Sequence, residues 1–296
     1  MADLHVLVAN CLVGGDKITQ RGDSWIRNVV EFDCSGQRIV FTQRDLFAKG
    51  IHGSLTGQFC ETSDVLISNV ARNRLKRALA TMDCLCWLLS FASMSRVLWY
   101  GYDYPAGTSS GYRRSVSGSV NEFRPVFDVR DTSTVQSFIK QAYPAYERLE
   151  ASRKLNVVID YLVRADMPNQ PTEFRLLLAF VTLESLKDTY ARSKGIVYVA
   201  GAFRKGPSPN RRSPKYGFEE LLSSMLKEVR MRRGLKTIVR LRNEIVHSGI
   251  SRLSHKSQWA IYERAQDLLR EYLLRLLGYH GSYLTHSSAS NASSTV

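Results

Sequence analysis

The stretch Val239 to Ile250, VRLRNEIVHSGI, decides how the second half of the chain is read, because it sets polar groups into what is otherwise an apolar helix. Leu235, Ile238, Val239, Leu241, Ile245 and Val246 recur at three- and four-residue steps, which predicts a helix from Gly234 to Ser248 stopped by Gly249. At about 100° per residue, with Leu235 at zero, these apolar positions fill an arc from about 240° through zero to about 40°. Arg242 falls inside that arc, near ~340°, whereas Asn243 and His247 share its edge, near ~80° and ~120°. A guanidinium on an apolar face is costly unless it is paired or the face meets a second polar surface. Burial half against its own bundle and half against another protomer would place Arg242 and His247 in a cleft.

Working outward, helical patterns surround this one. They are DTSTVQSFIKQAYPAYERL (131–149), with Asp131 or Ser133 as cap, NVVIDYLVRA (156–165) and PTEFRLLLAFVTLESLKDTY (171–190), with Pro171 in the first turn. FEELLSSMLKEVRM (218–231) and KSQWAIYERAQDLLREYLLRLLG (256–278) complete the set, and SKGIVYVAGAFRKGPSPNRRSPKYG (193–217) reads as a long polar loop. Before residue 128 the texture differs. HVLVANCLV, SWIRNVVEF and RIVFTQ are β-branched and aromatic runs, and DCSGQ between the last two has hairpin-turn chemistry. RVLWYGYDYPAG and GYRRSVSGSV are strand and loop, and one helix, NRLKRALATMDCLCWLLSFA (73–92), interrupts the region. The expected fold class is α+β: a β-rich domain over 1–128 with an inserted helix, an all-α bundle over 129–280, and a disordered Ser-rich tail over 281–296.

Lysine and arginine outnumber the acids 41 to 27, giving a net charge of +14, so the surface favours polyanionic partners. The five cysteines are odd in number, with no pair at zinc-ligand spacing, which fits a reduced cytoplasmic protein. MADLHVLVANC has an acid where an export signal has basic residues, and the most apolar run, CLCWLLSFASM, is too short for a bilayer. No membrane anchor, metal or cofactor is expected.

The compact set Arg242, Asn243 and His247 suits RNA cleavage without a metal. Histidine ordinarily titrates near neutrality and can exchange protons with a 2′-hydroxyl or a leaving group, while arginine forks onto phosphate oxygens. Arginine would stabilise the phosphorane charge, and asparagine would orient either partner. No P-loop, H-E-x-x-H, D-x-D-like cluster or G-x-S-x-G competes with it. Arg275 and His280 repeat the spacing, but through Gly278 and with Leu276 in the polar partner's place.

RNEIVH resembles the R-N-x-x-x-H signature of the HEPN superfamily, and LRNEIVHSG is similar to its ApeA-like bacterial branch in particular. In that branch an upstream helix resembles FRLLLAFVTLESL, with Glu184 in the LE-x-L position, and a β-rich region precedes the bundle. The resemblance spans roughly residues 130 to 278. It implies a metal-independent endoribonuclease of toxin and anti-phage abortive-infection systems, with a composite site where two such domains face each other. Arg242 and His247 would be the catalytic pair, Asn243 the polar helper, and Glu184 a structural or site-orienting acid.

Basic residues crowd the motif. Arg230, Arg232, Arg233, Lys236 and Arg240 precede it, and Arg204, Lys205, Arg211, Arg212 and Lys215 lie in the 193–217 segment, with Phe203 and Tyr216 placed to stack on unpaired bases. Neutralised phosphates give such surfaces salt-dependent, sequence-independent affinity for RNA. The competing reading is a structural arginine with a satisfied histidine at a helix end, where a cation complements the dipole. The chain would then be a non-catalytic RNA- or protein-binding subunit. DNA cleavage is a further alternative. In either case the N-terminal domain is a candidate docking surface for a sensor or regulatory protein.

Overall fold

The computed structural model describes residues 1–21, 23–44, 55–105, 109–113, 118–121, 123–232, 234–287 and 293–296, with only the backbone described for Arg21, Ser24 and His247. The chain forms two compact units, Met1–Glu147 with Leu277–Val296, and Arg148–Leu276.

The first unit is built on a seven-stranded antiparallel sheet of order β2-β3-β4-β5-β1-β6-β7. Its strands are β1 Ala2–Ala9, β2 Lys17–Arg21, β3 Ser24–Cys34, β4 Gln37–Gln43, β5 Glu61–Val70, β6 Leu98–Tyr104 and β7 Ser109–Tyr112. Strand β4 shows the alternation that decides its faces: Ile39, Phe41 and Gln43 are buried and the residues between are not. The β3–β4 connection is the hairpin foreseen at DCSGQ, with Ser35 and Gly36 at φ +53° and +71°, the geometry of a two-residue turn. Helix α1, Leu75–Ser93, packs against β5 and β6 and buries Ala78, Met82, Leu85 and Leu89 at helical spacing.

Helix α2, Thr132–Arg153, is started by Asp131, whose carboxylate accepts from the Ser133 hydroxyl at 2.7 Å and the Thr134 amide at 3.2 Å. Those bonds, led by the Ser133 hydroxyl, hold the Asp131 carboxyl below its ordinary range. The division between units falls within α2, after Glu147, whereas composition alone sets the change of texture at 128. Residues 281–296, expected as a disordered tail, contain two paired strands, β10 Ser282–Leu284 and β11 Ser293–Thr295; residues 288–292 lie outside the described ones. Apolar anchors explain the order. Tyr283 is buried, and Tyr279 meets Phe127 and Phe138 edge-on at 5.2 and 5.6 Å.

The second unit comprises α3 Leu155–Ala165, α4 Thr172–Ser193, α5 Phe218–Glu228, α6 Lys236–Ser248 and α7 His255–Leu276, together with the end of α2 from Arg148 on. Helix α4 is its axis and packs on α3, α5, α6 and α7. The unit is not all-α. Within the segment read as a polar loop, β8 Tyr198–Val199 pairs with β9 Ala202–Phe203. Ile196, Val197, Tyr198 and Val199 supply β-formers, and Ala200 and Gly201 turn the chain at φ +49° and +77°. Among the described residues, no helix is long and apolar enough to cross a membrane.

Candidate active site

Helix α6 and the residue before it bury Leu235, Ile238, Leu241 and Ile245, a narrower face than the apolar arc suggested, since Val246 is 43% exposed. The helix ends where Gly249, at φ +74°, turns its amide back to the Ile245 carbonyl at 2.8 Å. Opposite the buried face, Lys236, Arg240 and Asn243 are exposed at four- and three-residue steps. The His247 side chain lies outside the described residues.

Arg242 sits on the border between these faces, with its side chain 19% exposed. Its Nη2 forms an ion pair with Glu184 of α4, and its Nη1 donates to Asn243 Oδ1 at 2.9 Å. The guanidinium carbon lies 4.9 Å from the Phe218 ring centroid, a cation–π contact at the start of α5. Glu184 accepts a second cation, Lys187, at 2.5 Å, and Lys187 lies 5.2 Å from the same ring. One carboxylate and one aromatic face therefore organise two cations. Arg242 Nε is buried with no hydrogen-bond acceptor, which costs about 1–3 kcal/mol.

The structure thus brings together Arg242, Asn243 and Glu184. It adds Lys187, whose three-residue step from Glu184 is a readable helix pair, and Phe218, for which no sequence signal stands out. The repeat at Arg275 is accounted for otherwise, since its Nε donates to Glu271 at 3.0 Å.

The basic residues divide. Arg211, Arg212, Lys215, Arg230, Arg232, Lys236 and Arg240 are exposed and make no ion pair among the described residues; Arg233 lies outside them. Arg204 and Lys205 are committed elsewhere. Arg204 is buried and donates to the Val199 and Ser213 carbonyls at 3.3 and 2.9 Å, and Lys205 pairs with Glu220 at 2.6 Å. Phe203 is 5% exposed, too enclosed to stack on a base, whereas Tyr216 is half-buried.

No protein-family model, curated protein or solved structure matches the chain.

Proposed function

We propose that this chain is a metal-independent endoribonuclease of the HEPN type, a cytoplasmic toxin or effector of a bacterial anti-phage system that acts as a homodimer through α6. The observation that carries the proposal is the placement of Arg242. It is pinned by Glu184, Asn243 and Phe218, partly open to solvent, and on the same short helix as His247. Val246 and Ile250, 43% and 68% exposed, leave apolar surface beside the motif for a second copy to cover.

In the proposed reaction the 2′-oxygen of a ribose attacks the adjacent phosphorus while one His247 takes its proton. The P–O5′ bond then breaks, and the leaving oxygen takes a proton from the second copy's imidazolium. The products are a 2′,3′-cyclic phosphate and a 5′-hydroxyl. Arg242 stabilises the charge on the equatorial oxygens, and Glu184 and Asn243 hold its plane. The exposed cations from Arg230 to Arg240, with Arg211, Arg212 and Lys215, contribute RNA affinity. In the first unit, Ile18 and Trp25 are 51% and 69% exposed at the β2 edge and suit docking of a regulatory protein.

The competing reading, a non-catalytic binding subunit, draws on the Arg242–Glu184 pair, which also satisfies a structural arginine. Incubating total RNA with the full chain in excess chelator, beside His247→Ala and Arg242→Ala, separates the two. The wild type cuts, and each variant is slower by at least about 100-fold. No cutting by any protein, or equal cutting by all three, rules out the catalytic assignment; a single-stranded DNA arm tests the sugar requirement.

A further inference from the structure

A cleft of about 660 Å³ opens in the helical unit next to Glu184, within the roughly 300–1,000 Å³ of small-molecule sites. Lys154, the residue before α3, lines it with Val157 and Tyr161 of α3 and with Glu184 and Asp188 of α4. Tyr198 of the β8–β9 hairpin, Tyr216 and Phe218 supply the remaining wall. The lining is therefore strongly aromatic, with Tyr161, Tyr216 and Phe218 all half-buried.

Its charges do not cancel. Asp188 is matched by Arg192 at 2.8 Å, and Glu184 is shared by Arg242 and Lys187. Lys154 is exposed at the rim and has no ion pair among the described residues. The backbone there is left-handed, at φ +48°, a conformation that costs a lysine about 1 kcal/mol or more.

We propose that this cleft holds one unstacked nucleotide, its base against the tyrosines and its phosphate on Lys154 and Lys187. On the ribonuclease reading, on which the identity of the strand rests, the occupant belongs to the RNA being cut, and single-stranded RNA is the substrate. A phosphate that draws Lys187 from Glu184 leaves the carboxylate wholly to Arg242. Occupancy of the cleft then tightens the arginine that the chemistry uses.

The test is made on full-length His247→Ala, in excess chelator, by anisotropy of a labelled eight-nucleotide single strand, its duplex, and unlabelled AMP, UMP and inorganic phosphate as competitors. The expected result is single-strand binding about tenfold tighter than duplex, weakened about five- to tenfold by added Lys154→Glu or Tyr161→Ala at unchanged Tm. Displacement by AMP or UMP, but not phosphate, identifies a free nucleotide as occupant; variant sensitivity without displacement identifies a nucleotide within a strand. Unchanged binding of strand and mononucleotide by Lys154→Glu, an exposed change that leaves folding intact, overturns the cleft assignment. Because the protein tested does not cut, failure of the nuclease reading and failure of this one are seen separately.

Discussion

Asp166 and Glu184 each hold two cations within the same helical unit, and only one of the two groups is closed to solvent. Asp166 and Arg270 are fully buried 3.6 Å apart, Arg175 approaches the same carboxylate at 3.5 Å, and the Tyr262 hydroxyl donates to it at 2.9 Å. Arg175 is also saturated by the carbonyls of Gln170, Ala165 and Met167. The Glu184 group uses the same chemistry at the surface, with side chains 29% and 19% exposed. Full burial marks a charge that holds a fold together. Partial exposure marks one that has room to meet a ligand.

The largest expected effect breaks the closed member of the pair. Asp166→Ala removes the carboxylate shared by two buried arginines and should cost about 3–5 kcal/mol in urea unfolding, whereas Glu184→Ala should cost about 1 kcal/mol or less. Equal losses at the two positions would erase the distinction between them. Next in size, Arg242→Lys keeps the charge but loses the forked geometry. Cleavage of RNA should fall about 100-fold, or ~2.7 kcal/mol, with the unfolding midpoint unmoved.

Closure also sets a pH response in the sheet unit. Burial pushes the Cys11 thiol up to about 11 and the Cys34 thiol up to about 12, above their ordinary value near 9.0. Below pH 9.0 both states keep these protons; from there to about 11 the unfolded chain releases them and the folded chain does not, so stability falls as pH rises. Each thiol contributes up to about 1.4 kcal/mol per pH unit in that window, and Cys11→Ala should flatten the decline seen in thermal melts. The smallest effects belong to the open stripe of α6. Lys236→Ala and Arg240→Ala should each lower the salt slope of RNA binding by about 1 while changing stability by less than about 0.5 kcal/mol.

The same contrast explains what the sequence made legible. Helices with one continuous apolar face, such as α1 and α3, could be placed from periodicity, and Asp131 and Gly249 could be read as their start and stop chemistry predicts. Strand β5 was harder, because Glu61, Ser63, Asp64 and Ser68 interrupt its apolar residues and its central place depends on pairing with β1 and β4. The β8–β9 hairpin was hidden by the Gly, Pro and Arg that follow it, although VYVAGAF carried the signal. At the site, Arg242, Asn243 and Glu184 lay in patterns visible along single helices. The Phe218 platform and the cleft beside it arise from packing of α4 on α5 and the hairpin, which no one-dimensional spacing encodes. Val246 is a further case: helical phase placed it with the core, yet it is 43% exposed.

The most direct test of the central claim is the chemistry of the cut ends. A defined single-stranded RNA treated with the chain in excess chelator, its products resolved by mass spectrometry, should yield 2′,3′-cyclic phosphate and 5′-hydroxyl termini that disappear with Arg242→Ala and with a 2′-deoxy substitution at the cut. Intact RNA, or 5′-phosphate ends insensitive to both changes, would contradict the account.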